Sequence, residues 1–277
     1  MVSPATFDSE DTARLREAKR VLERPGLAIR LAGLVGTPFE RAVQRLPGKA
    51  RGAVAEAAEA AVRQCLGLAL RTLDAHAADG AAAEQPWNRL HKLAAAATGA
   101  AGGAFGLAAL TVELPVTTTI VFRSICDIAR SEGEDLDHAE TRLQCLAVLA
   151  LGGGAREDGE GHAGSGGEGT ESAYFALRAG LGEMIAQALA GRGAGRQGDN
   201  PAPRVSPLLD RIAERFSIQV TQQAAAKSLP AVGAVLGALV NTVFMDHFQK
   251  VAQAHFRVRR LERKYGAARL RAHYDAL

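Results

Sequence analysis

From Leu93 to Phe122 the chain reads LAAAATGAAGGAFGLAALTVELPVTTTIVF, and from Leu93 to Val112 it holds no charged residue. A helix of that length spans about 30 Å, the thickness of a bilayer core. Its large apolar residues are few, Leu93, Phe105, Leu107, Leu110 and Val112, and each adds only about −0.3 to −0.6 kcal/mol to insertion. Gly99, Gly102, Gly103 and Gly106 each give up about 1 kcal/mol of helix propensity relative to alanine. A spanning helix is therefore marginal. What the glycines provide is close approach, because Gly99/Gly103 and Gly102/Gly106 are GxxxG pairs on one helical face. Gly233 and Gly237 share the GAxxGA pattern of Gly99 and Gly103 in a second uncharged run, a match too common in Ala/Gly-rich sequence to count as an internal repeat. Two smooth faces result, fit to pack on each other or on lipid.

Hydrophobic residues make up 47% of the chain but aromatics only 5%, so the core is built mainly of Ala, Leu and Val. That favours closely packed helices over strands, and predicts an all-α protein with glycine-rich central helices. Cys65, Cys126 and Cys145 lie far apart in apolar surroundings with no CxxC or Cys/His spacing. They read as small buried hydrophobes in a reducing compartment, and no metal or cofactor is expected. The start MVSPATFDSEDT carries acids and no apolar core, which is no secretory signal and places the protein on the cytoplasmic side.

Residues 9–24 read as a polar helix with acids first and bases last, stopped by Pro25-Gly26. Residues 1–36 then form an N-terminal arm on the surface, and 37–277 one helical domain. Thr37-Pro38-Phe39-Glu40 has the capping-box pattern of a short helix. A long helix over about 49–75 follows, with Val54, Ala58, Ala61, Cys65, Leu68 and Thr72 as its buried stripe. Pro115 predicts a break between two helices at Glu113-Leu114-Pro115. Asp137 with Glu140 suggests another capped start, and Ser206-Pro207 a further one. A long final helix runs to Tyr265, with Gly266 as its cap. Residues 152–169 and 191–203 are glycine-rich and lack large apolar side chains, so flexible insertions are expected there.

The segments GAAGGAFGLAALTVELPVTTTIVFRSICDIARSEGEDL, CLAVLALGG, AAKSLPAVGAVLGALVN and FRVRRLERKYG resemble, in this order, the blocks of the EcsC family of bacteria. The resemblance spans roughly residues 45–275. The family takes its name from an operon encoding an ABC exporter, so the resemblance implies an accessory role in membrane transport or secretion. It implies no reaction.

Gly193 to Gly198 match GxGxxG, but a helix precedes the motif and proline follows it, the reverse of a dinucleotide site. Arg123 and Asp127 sit four apart among Ile120, Phe122, Ile125 and Ile128 and are expected to pair with each other. Glu113, the run Thr117-Thr118-Thr119 and Asn241 are further polar groups in apolar helices. A pocket built from Glu113, Arg123, Asp127 and Asn241 would suit a soluble enzyme or small-molecule binder. Asp246 and His247 add a carboxylate and an imidazole, without a nucleophile at diagnostic spacing.

The strongest surface signal is at the end of the chain. Between Lys250 and Arg271 stand eight Lys or Arg and one acid, Glu262. At 100° per residue, Lys250, Arg257, Arg259, Arg260, Arg263 and Lys264 fall on one half of the helix, and Val251, Ala254, Val258, Leu261 and Tyr265 on the other. Phe256 lies within the charged half, where it would enter a headgroup region. The expected function is thus a non-enzymatic protein held peripherally on the inner membrane, partnered by an anionic lipid surface or a membrane protein, with self-association open. Nucleic acid is not an expected partner, since no DNA-reading motif or aromatic platform is present.

Overall fold

The computed structural model describes residues 7–23, 26–36, 38–71, 88–105, 110–153, 173–193, 202–229 and 233–277. Among them are eleven helices and no strand, so the fold is all-α. In order they are α1 (Ser9–Glu23), α2 (Leu27–Val35), α3 (Pro38–Arg45), α4 (Gly48–Arg71), α5 (Asn88–Phe105), α6 (Leu110–Ser131), α7 (Ala139–Leu151), α8 (Ala173–Gly193), α9 (Ala202–Lys227), α10 (Ala234–Tyr265) and α11 (Ala267–Asp275).

α10 is the axis of the fold. Its Val240, Phe244, Met245, Phe248, Val251, Ala252, Phe256, Val258 and Leu261 are all buried, and α5, α1, α6, α2, α7 and α9 pack around it. Phe216 of α9 meets Phe244 and Phe248 with ring centroids 6.1 and 5.7 Å apart, a tilted aromatic cluster at the centre of the core. At Gly266 the chain turns with φ 86°, a left-handed geometry glycine adopts without steric cost, and α11 folds back.

α5 and α10 approach each other closely. A Cβ built on Gly99 would stand 2.5 Å from the carbonyl oxygen of Gly237 and 2.7 Å from Asn241 Cβ. The two glycine-bearing segments therefore do pack on each other, at Gly99 and Gly237. Gly233 sits exposed at the N-cap of α10 with nothing near it. Gly102 and Gly103 lie in the last turn of α5, their surroundings outside the described residues, as is Gly106 itself.

Several boundaries differ from expectation. No break falls at Pro115, which lies in the second turn of α6, a helix continuous from Leu110 to Ser131. A proline there forfeits one intrahelical bond of an early turn, a cost that packing of Leu114, Val121 and Ile125 into the core offsets. Among the described residues no helix is long and apolar enough to cross a membrane. α9 begins at Ala202, before Pro207. α7 starts one residue later than the Asp137 cap predicts: its N-cap is His138, with no side-chain cap, and the Asp137 amide donates to Asp135 Oδ1 in the preceding turn (2.8 Å).

Residues 27–35, which lie within the expected arm, form α2, and α1 docks on α10 by burying Leu15, Ala18 and Leu22. Of the expected insertions, 154–169 and 194–201 lie outside the described residues. Gly152 and Gly153 are buried, and a Cβ at Gly152 would meet Phe248 at 2.5 Å. Residues 191–193 complete α8, and 202–203 open α9.

Candidate functional site

The polar groups proposed for a pocket divide into two sets. Glu113 and Asn241 come together: Asn241 Nδ2 donates to Glu113 Oε1 at 2.7 Å and to the carbonyl of Ala95 at 3.1 Å. Lys227 Nζ donates to the same carboxylate oxygen, and Gln223 Nε2 donates to Asn241 Oδ1 at 2.7 Å. Lys227 is 4% exposed and Glu113 8%, so this is a buried ion pair joining the starts of α6 and α10 to the end of α9. Burial pushes the Lys227 ammonium down, and Glu113 only partly restores it. Thr117 joins the edge of the network through Thr98, hydroxyl to hydroxyl at 3.1 Å.

Arg123 and Asp127 do not join it, nor each other. Arg123 is exposed, and Asp127 takes a 2.8 Å contact from His91 Nε2 of α5. The spacing of four permits an intrahelical pair, but α5 supplies a nearer partner for Asp127. The partner chemistry of Glu113 is likewise invisible locally, since Lys227 lies 114 positions away.

The basic half of α10 is tied into the protein. Arg259 grips Glu134 bidentately at 2.8 and 3.1 Å, and Arg263 donates to the same carboxylate. Arg260 pairs with Glu132 at 2.9 Å, with Arg257 at 3.7 Å from it. Lys264 meets Asp11 at 2.6 Å and Asp8 at 3.2 Å. Burial pushes the Glu134 carboxyl up, but the two arginines outweigh it and hold it below the ordinary range. Phe256 is fully buried, against the expectation that it enters headgroups, because α10 is enclosed on more sides than a docked surface helix. The missed signal was the acidic loop SEGED between α6 and α7 (Ser131 to Asp135), complementary in charge to FRVRRLERK. Reversing Arg259, Arg260 and Arg263 to glutamate would face Glu132 and Glu134 with like charges, so it is expected to disrupt the fold as well as the surface.

Asp246 and His247 diverge. Asp246 is surrounded by Arg30 Nη2 of α2 (2.5 Å), Lys92 Nζ of α5 (2.5 Å) and Lys250 Nζ (3.1 Å). Burial raises its carboxyl, but these cations together bring it down to about 2. His247 points into the core and donates from Nε2 to the Gly152 carbonyl at 2.6 Å. Burial drives its pKa from 6.5 down to about 4. No acid–base pair is assembled here. A pH effect follows: below pH 6.5 the unfolded chain takes up a proton that the folded histidine refuses, so stability falls as pH drops from 6.5 towards 4, a loss on the order of 3 kcal/mol. Buried His255, also lowered by burial, acts in the same direction. Urea midpoints measured across this window should decline with pH, and His247→Gln should flatten the slope.

The exposed large apolar side chains among the described residues are Ile29, Leu90, Leu93, Val112, Val116, Val235 and Leu239. They stand on α2, α5, α6 and the first turns of α10, and the Glu113–Asn241 bond sets the starts of α6 and α10 side by side. A model of the EcsC protein family matches residues 9–261. The chain belongs to the EcsC protein family. No curated protein and no solved structure matches it. The family match takes in α1 and α2, the exposed apolar groups of α5, α6 and α10, and Arg30, Lys92, Asp246 and Lys250, and ends before Arg263 and Lys264.

Proposed function

We propose that this EcsC protein is a non-enzymatic helical protein that attaches peripherally to the cytoplasmic face of the inner membrane, as an accessory to transport or secretion. The observation that carries the attachment is that, among the described residues, the exposed large apolar side chains stand on α2, α5 and the beginnings of α6 and α10. Val235 and Leu239 lie on the same outward stripe of α10 as Asp246 and Lys250, within about 60° at 100° per residue. An apolar patch beside a charged one is the composition of an interfacial surface. The link to export rests on the family, named for an exporter operon.

Cell fractionation with carbonate and high-salt washes tests this. The protein is expected in the membrane pool and released by carbonate. Combining Val112→Ser, Val116→Ser, Val235→Ser and Leu239→Ser should move it to the soluble pool with its helicity intact. A parent protein found wholly in the soluble pool overturns the reading.

A further inference from the structure

We propose that the surface where α2, α5 and α10 meet at Asp246 is a headgroup site for anionic phospholipid, in which Arg30, Lys92 and Lys250 hold the lipid phosphate. This deepens the membrane reading above and rests on it. Three cations converge on a single carboxylate, so Asp246 neutralises one of them and the cluster retains positive charge. Asp246 engages Nη2 of Arg30; Nη1 is buried without a partner and is closed to solvent, so Arg30, its side chain 32% exposed, contributes mainly its charge, and the two lysines are the groups open to an anion. The Lys92 and Lys250 side chains are 33% and 54% exposed, open enough to turn towards an incoming anion. Asp246 thus holds the cationic heads in register and leaves them under-neutralised.

What surrounds the cluster selects lipid over a free anion. Ile29 adjoins Arg30 and is 70% exposed; Leu93 adjoins Lys92, about 100° round α5 from it, and is 68% exposed. Since Arg30 and Lys92 reach the same carboxylate, Ile29 and Leu93 each stand one residue from a cation of this centre. Along α10 the same stripe continues to Leu239 and Val235. A soluble phosphate would use the cations and leave the apolar rim in water. A leaflet uses both. By contrast, the more numerous bases at the end of α10 face internal acids.

Co-sedimentation with phosphatidylcholine vesicles, with and without phosphatidylglycerol, tests the site. The parent should prefer the anionic vesicles, and Lys92→Gln with Lys250→Gln should erase that preference, about 5-fold per cation. Residual binding to both vesicle types should remain. Leu93→Ser with Leu239→Ser should weaken binding to both types and keep the preference. Arg30→Gln is a stricter test but risks the α2 contact, so the lysine pair, checked by circular dichroism, decides. Equal binding of the parent to both vesicle types sinks the headgroup site and leaves the membrane reading standing. Binding to neither vesicle sinks both. Thermal stabilisation by inorganic phosphate in a parent that binds no vesicle assigns the cluster to a soluble anion and overturns the lipid assignment.

Discussion

Gly99→Leu is expected to prevent α5 from seating on α10. The atoms a new Cβ would meet are the Gly237 carbonyl oxygen at 2.5 Å and Asn241 Cβ and Cγ at 2.7 Å. One of these is backbone, and Asn241 is fixed by bonds to Ala95, Glu113 and Gln223. Neither neighbour can swing aside, so the helices must separate. Overpacking of a tight interface costs about 1–3 kcal/mol and sometimes more. Gly99→Ala should therefore lower stability by about 2 kcal/mol, a fall of about 6 °C in Tm, and the leucine variant by more. Gly182 in α8 supplies the control. Nothing lies within 4 Å of its Cβ position, so Gly182→Ala should be neutral or should stabilise by up to about 1 kcal/mol through helix propensity. If Gly99→Ala and Gly182→Ala melt alike, the close approach of α5 and α10 is not a constraint.

Lys227→Met should be at least as damaging, for an electrostatic reason. It strands the Glu113 carboxylate with Asn241 as its remaining donor, in a site where both ion-pair partners are less than a tenth exposed. Breaking one side of a buried pair costs about 3–5 kcal/mol, because the survivor keeps its desolvation penalty and loses its counter-charge. Glu113→Gln alone should leave the Lys227 ammonium in the same position. The double variant removes both charges and should recover much of the loss, so the cycle should show a coupling of about 2 kcal/mol or more. Purely additive urea midpoints would mean that the pair does not hold α6, α9 and α10 together. Circular dichroism at the same concentrations separates loss of stability from loss of structure.

Helix class and most helix cores were legible in the chain because they are local. Val54, Ala58, Ala61 and Cys65 recur at helical spacing, and all are buried on α4. Leu181, Ile185 and Ala188 do the same on α8. The Gly99 and Gly237 surfaces could be named from the shared GAxxGA pattern, and Gly266 as a helix terminator from its place after Tyr265. Packing needs only side-chain size and period, and both are written residue by residue.

The charged groups were another matter. A helical wheel assigns Arg257, Arg259, Arg260 and Arg263 to one half of α10 but cannot say what faces that half. Glu132 and Glu134 arrive from the α6–α7 loop and Asp11 from α1, more than 120 positions away in sequence. The same holds for Phe256, placed among charges by the wheel and buried because α10 is surrounded, and for Asp127, claimed by His91 rather than Arg123. Asp246 offered no sign in sequence that Arg30 and Lys92 would converge on it. Period and volume are properties of a segment, so the sequence by itself determined the helix class and most buried stripes, and it marked Gly99 and Gly237 as close-packing positions. Charge pairing depends on which distant segment comes within about 4 Å, where Coulomb energy in a partly buried site rivals desolvation. Only the tertiary structure decided which cations were spent inside the protein and which remained at its surface.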